Sequence, residues 1–247
     1  MTGESVESVE TKSPPQPRRG VVICVPTPGN VAVETLGAVA VAVAYLESIG
    51  VFVKLRTRVG GMSIDVARNI MLAEFLADPP EFTDLFFVDA DVGGFSPHDV
   101  KRILDRPEEI IGGVYPLKQD STKWPCSLVI TPSGNYVNTE DQRLVAGELV
   151  PTGFMKISRA AAKKLHDREM LSENWYVWFD DNISITCANV FEFRVVKFRW
   201  IGEDRTMCDK WRELGGIVWI DPSINFTHRG EKVWSGNFGR WHNELPA

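Results

Sequence analysis

Residues 85–91 read Leu85-Phe86-Phe87-Val88-Asp89-Ala90-Asp91, and the change of character after Val88 decides how the chain is organised. Four consecutive apolar residues without polar alternation suit a strand covered on both faces, the situation of a central strand in a parallel sheet. Asp89 then opens the loop at the carboxyl end of that strand. Asp91 stands two positions further on, so both side chains can lean to one side of an extended segment. Such a pair can share one cation, and hard carboxylate oxygens suit Mg²⁺ or Mn²⁺, which keep coordination positions for substrate phosphates. The plainer alternative is that the two aspartates cap a turn or the next helix, a common use of Asp. Gly93-Gly94, just beyond, would let a ligand approach the backbone closely.

Upstream of this stretch the chain alternates strand and helix signals. Residues 21–25 form a β-branched run closed by Pro26-Thr27-Pro28-Gly29, and residues 31–48 have helical length, high Ala content and a stop at Gly50. A second strand is expected at 51–57, then Gly60-Gly61, then a helix over 64–76 with Ser63 placed to cap it and Asp78-Pro79-Pro80 to end it. Repeated β-α-β order implies right-handed crossovers, helices on both faces and ligands beyond the carboxyl ends of the strands. Downstream, helices are expected at 97–105, 158–168 and 204–214, with strands at 110–111, 127–130, 143–145, 154–157 and a closing one at 217–221. No repeat or linker divides residues 21–247, which are expected to form one domain. Residues 1–20 are polar, acidic and Pro-containing without an apolar core, and are expected to be a disordered tail.

The 247 residues are 44% hydrophobic and 24% charged, the balance of an ordinary globular protein, and the formal net charge of −6 disfavours generic binding to nucleic acid. Cys24, Cys126, Cys187 and Cys208 form no CxxC pair, which argues against a zinc knuckle or a stapled scaffold and fits a reducing cytosol. The most apolar run, residues 36–46, falls short of the ~20 residues needed to span a bilayer, so no transmembrane segment is expected.

Several motifs, in consistent order, carry a resemblance to the GT-A glycosyltransferases over most of residues 21–230. Val21-Val22-Ile23-Cys24-Val25-Pro26-Thr27-Pro28 is similar to that family's first strand and nucleoside loop. Ala67-Arg68-Asn69 resembles its pyrophosphate-facing helix, and Phe87-Val88-Asp89-Ala90-Asp91 its metal motif. Pro151-Thr152-Gly153-Phe154-Met155 resembles the segment shaping the acceptor side. Gly202-Glu203-Asp204-Arg205-Thr206-Met207-Cys208 resembles the acidic motif that opens the last catalytic helix. Ile220-Asp221-Pro222-Ser223-Ile224 and Thr227-His228-Arg229-Gly230 complete the pattern. The QxxRW motif of processive synthases is missing, which favours transfer of a single sugar.

The resemblance implies an α/β, Rossmann-like GT-A domain with a mostly parallel central sheet, helices on both faces and a small antiparallel addition. It implies transfer from a nucleotide-diphosphate sugar, UDP-sugar favoured and GDP-sugar possible. The acceptor hydroxyl would belong to a glycan, lipid, protein, small molecule or modified nucleic-acid base. Asp89, Asp91 and His228 are then expected at Mn²⁺ or Mg²⁺. Pro26, Thr27, Arg56, Asp65, Arg68, Asn69, Ala90, Lys118 and Gly153 are expected around the donor. Glu203 and Asp204 are the expected catalytic pair, with Asp204 as base of an inverting reaction.

Physical chemistry weighs these residues separately. Arg68 offers a permanently charged fork for phosphate, or a local salt bridge to Asp65 three residues earlier. Glu203-Asp204 sits at a helix N-terminus, where capping explains one carboxylate but not both. A lone His228 is more often a packing residue than a ligand, though neutral imidazole suits Mn²⁺. Lys118 can neutralise phosphate or simply be solvated. Trp175, Tyr176, Trp178 and Phe179, beside Asp180-Asp181, offer platforms for a sugar, with core packing the commoner fate. Two rivals remain: a haloacid-dehalogenase-like phosphatase with Asp89 as nucleophile, and a sugar-nucleotide-binding module without turnover.

Overall fold

The computed structural model describes residues 19–120, 123–129, 143–180 and 183–244. Residues 1–18 of the expected tail, Ile130 of the strand expected at 127–130, and Asp181 lie outside the described residues. Gly20, assigned above to the tail, instead begins the first strand.

The first half follows the alternation: β1 (Gly20–Thr27), α1 (Val33–Ser48), β2 (Phe52–Val59), α2 (Ile64–Ala77) and β3 (Phe82–Val88). Then come β4 (Val92–Gly93), α3 (Pro97–Asp105), β5 (Ile110–Gly113), β6 (Ser127–Leu128), β7 (Val145–Leu149), β8 (Phe154–Ser158) and α4 (Arg159–Leu171). Two hairpins follow, β9 (Trp175–Asp180) with β10 (Ile183–Ala188) and β11 (Arg194–Val196) with β12 (Arg199–Ile201). The chain continues through α5 (Glu203–Glu213), β13 (Val218–Asp221), β14 (Asn225–Arg229), β15 (Val233–Asn237) and α6 (Phe238–Asn243).

The central sheet has the order β2-β1-β3-β8-β5-β13-β7-β6. Most of its strands run one way; β8, between β3 and β5, and β7, between β13 and β6, run against them. The strand expected to close the chain is therefore β13, an interior strand, with β14, β15 and α6 still to come. Three small antiparallel sheets surround the large one among the described residues, β9 with β10, β11 with β12, and β15-β14-β4.

Alternation within the buried strands explains why helices cover both faces. On β1, Val22 and Cys24 pack with Met71, Leu72 and Phe75 of α2 and with α4 and α5. Val21, Ile23 and Val25 pack on the other face with Val39, Ala42 and Leu46 of α1 and with α3. Leu85 and Phe87 of β3 join the first layer, Phe86 and Val88 the second, so the unbroken apolar run is used on both sides. Ser158 caps α4 as expected, accepting from Ala161 N–H at 3.1 Å. Ser63 stands at the N-cap of α2 but makes no side-chain cap bond.

Candidate functional site

Beyond β3 the chain turns into β4, and two contacts shape the intervening loop. Asp89 N–H donates to the Gly153 carbonyl at 2.9 Å, and the Ala90 carbonyl accepts from Ala32 N–H at 2.7 Å, stitching the acidic loop to the segments preceding β8 and α1. β4 then pairs with β14 in the register Val92↔His228 and Gly93↔Thr227, bringing together residues more than a hundred positions apart. The two glycines allow close backbone packing here. A Cβ on Gly94, at φ +81°, would lie 2.7 Å from Thr227 N, and one on Gly93 would lie 3.0 Å from the Glu34 backbone. Neither Asp89 nor Asp91 caps a helix: α3 is capped reciprocally by Ser96 and Asp99.

Arg68 is the buried hub of the charges. Only 2% exposed, it donates through Nη2 to Asp89 Oδ1 at 2.6 Å and through Nη1 to Glu203 Oε1, joining α2 to the loop after β3 and to the start of α5. The local pair with Asp65 does not form; Asp65 Oδ1 is instead buried without a hydrogen-bond partner. Burial alone would lower the Arg68 pKa, but the charges of Asp89 and Glu203 outweigh it and raise it. Tyr115 Oη donates to Asp89 Oδ2 at 3.3 Å. Burial, then the charge of Asp89, raises the Tyr115 pKa well above the ordinary phenol value and keeps it a neutral donor.

Asp91 is held on both oxygens. Lys118 Nζ donates to Oδ2, and His228 Nε2 lies 3.5 Å from Oδ1. Burial would raise the Asp91 pKa, but His228 and Lys118 together hold it below the usual carboxylate value. His228 Nδ1 is 2.8 Å from the Pro116 carbonyl, which only accepts, so Nδ1 carries hydrogen. In the neutral ring Nε2 then presents a lone pair toward the Asp91 oxygen. Two acceptors facing one another call for a proton or a cation between them.

Asp204, in the first turn of α5, accepts from Arg205 N–H at 2.6 Å. Burial, reinforced by neighbouring Glu203, pushes its carboxyl up to about 6. That is the range in which a carboxylate changes protonation near neutrality and can move a proton.

Other expected site residues have different placements. Pro26 is a buried residue of β1, and Thr27 shapes the turn after it, donating to the Asn30 carbonyl at 2.7 Å and accepting from Gly29 N–H at 3.1 Å. Arg56 is not brought to the acidic cluster: it pairs with Glu74 and with Asp78, at the opposite end of α2 from Arg68. Asn69 is fully buried, donates to the Phe191 carbonyl and accepts from Phe191 N–H, both at 2.8 Å, and so pins a loop. Gly153 has no room for a Cβ, which would strike the Asp89 carboxylate and Tyr115 Oη. In β9, Trp175 and Phe179 point to solvent, while Tyr176 Oη and Trp178 Nε1 are buried without partners.

Tyr115 and Pro116 were not singled out from the sequence; the one signal was their position three and two residues before Lys118. Among the described residues no group of three His, Cys, Asp or Glu is arranged to hold a metal ion. Asp91 and His228 make a pair, with Asp89 engaged by Arg68 and Tyr115.

No protein-family model matches the sequence, and no curated protein matches it. Among solved structures, the crystal structure of A197 from STIV superposes with a TM-score of 0.52 at 14% identity, covering 85% of this chain and 85% of that one. This likeness is one of fold. The 4-diphosphocytidyl-2C-methyl-D-erythritol synthase of Anaerococcus prevotii aligns over 68% of this chain and 81% of its own, at 10% identity and a TM-score of 0.34, too loosely to support an argument. The chain is thus a mixed α/β protein with a large, mostly parallel central sheet and a charged cluster beyond the carboxyl end of β3.

Proposed function

We propose that this protein is a metal-dependent glycosyltransferase of the GT-A type, moving one sugar from a nucleotide-diphosphate sugar to an acceptor hydroxyl. The observation that carries the reading is the convergence of carboxylates and cations from four separate segments beyond the carboxyl end of the interior strand β3. These are Asp89 and Asp91 after β3, Arg68 on α2, Glu203-Asp204 opening α5, and His228 on β14.

The donor set fits a dication that takes few protein ligands. Asp91 Oδ1 and His228 Nε2 already face each other at 3.5 Å, and carboxylate with neutral imidazole suits Mn²⁺. Bound there with Asp89 nearby, Mn²⁺ or Mg²⁺ would supply charge stabilisation for a departing diphosphate. The chain's own residues do the rest. Lys118, 35% exposed on its side chain and reaching Asp91, can turn to a phosphate oxygen. Arg68 fixes Asp89 and Glu203 while holding the net charge of the cluster down. Asp204 in its ionised form accepts the proton of the acceptor hydroxyl as that oxygen attacks the anomeric carbon, which corresponds to inversion.

A thermal-shift screen of UDP- and GDP-sugars with and without Mn²⁺ tests the proposal, because a ligand bound by the native state alone raises apparent stability. Stabilisation by one nucleotide-sugar only when Mn²⁺ is present is expected, together with nucleoside diphosphate release on adding acceptor. Phosphate release from a simple phosphoester without nucleotide-sugar turnover would refute the reading in favour of a phosphatase. Metal-dependent donor binding without any transfer or hydrolysis would refute it in favour of a binding module.

A further inference from the structure

Residues 193–200 read Phe193-Arg194-Val195-Val196-Lys197-Phe198-Arg199-Trp200, apolar and basic without a single acid. They build the β11–β12 hairpin, in which Val195 pairs with Trp200 and Val196 with Arg199, leaving Lys197-Phe198 as a two-residue turn. Both turn residues lie in the left-handed region, at φ 48° and 65°. A turn of this kind favours Asn-Gly, so a bulky Phe at the tip is held against backbone preference. Nothing covers it: Phe198 is 102% exposed, Trp200 70% and Val195 64%. Phe193 stacks on Trp200 with ring centroids 5.4 Å apart, bracing the base of the hairpin. Arg194 is engaged by Asp209 at 3.1 Å, whereas exposed Lys197 and Arg199 make no ion pair among the described residues.

We propose that the β11–β12 hairpin docks the protein peripherally on an anionic lipid bilayer, with Phe198, Trp200 and Val195 entering the interface and Lys197 and Arg199 meeting the headgroups. An apolar tip flanked by cations matches the interface in both polarity and charge, since aromatic side chains settle at headgroup level and basic ones are drawn to anionic lipid. A single-stranded nucleic acid fits less well. Val195 and Val196 offer no flat face to a base, and Trp200 already stacks on Phe193. A second copy of the hairpin would set like charges together. No helix among the described residues is long and apolar enough to cross a membrane, so the contact proposed is superficial. This inference does not depend on the proposed glycosyl transfer.

The test is co-sedimentation of the full chain with vesicles of phosphatidylcholine alone and with one third phosphatidylglycerol, at low and high salt. Binding to the anionic vesicles, weakened by salt, is expected. Lys197→Gln with Arg199→Gln should weaken it roughly 25-fold, each cation contributing a factor of about five. Phe198→Ser with Trp200→Ser should abolish the part that survives salt. All four side chains are exposed, so unchanged melting curves will show that the variants fold. Absence of vesicle binding, or equal binding by both variants, overturns the proposal. So does binding of oligo-dT that these substitutions abolish while vesicle binding is unaffected.

Discussion

Replacing Arg68 with Met removes the one cation shared by Asp89 and Glu203 while keeping most of its volume. The Arg68 side chain is 3% exposed and its partners 23% and 12%, so both carboxylates would be left together in a largely dry place. Breaking a buried ion pair by deleting one partner costs about 3–5 kcal/mol. Partial solvation of Asp89 puts this case toward the lower end. At about 2–4 °C per kcal/mol for a chain of this size, the melting temperature should fall by roughly 10 °C. Circular dichroism melts at pH 8 measure it. If Asp89 belongs to a metal site, millimolar Mn²⁺ should restore part of the loss in the variant and change the parent less. A melting temperature within a few degrees of the parent at pH 8 would refute the view that Arg68 is what makes this concentration of acids tolerable.

Gly153→Ala should leave the protein folded but sharply lower turnover, because the added methyl displaces the Asp89 carboxylate and Tyr115 Oη; transfer assays beside a melting curve check this. Asp204 should impose a pH profile in which kcat/KM rises with pH through about 6 and levels off above it, since only the ionised carboxylate accepts a proton. Asp204→Asn should lose turnover by about two to four orders of magnitude without lowering the melting temperature at pH 8, where it replaces a charge disfavoured by burial. Lys210→Met should cost about 3–5 kcal/mol in urea unfolding, because the ammonium, 2% exposed and 3.0 Å from both Glu169 and Glu192, is their shared partner.

The elements from β1 to β3 were readable because their signals are local: β-branched runs, turn glycines, and helices of ordinary length between them. The same holds for α3, found at residues 97–105 as expected and carrying its own capping box. The hairpins and the β15-β14-β4 sheet were not readable, since a two-residue strand such as β4 acquires its identity only from a partner far along the chain. His228 shows the same limit at the site. Nothing nearby in sequence signals its approach to Asp91, and only the order of motifs pointed to it. Arg68 misled in a complementary way, because the acid three residues earlier is the obvious neighbour on a helix whereas the observed partners lie on other elements. Asn69 and Arg56 carry groups suited to a ligand that are instead used to hold the scaffold together.

The reversed strand β8 has a consequence for how the molecule comes into being. It is the neighbour of β3, yet it is synthesised some seventy residues later, after β5 beside which it also lies. Until it arrives, the apolar residues 85–88 border an open edge able to pair with the wrong chain. The carbonyl that orders Asp89 belongs to Gly153, immediately before β8. Healing that vulnerable margin and shaping the acidic loop are therefore a single late event, and a nascent chain halted before residue 158 would be both sticky and without its site.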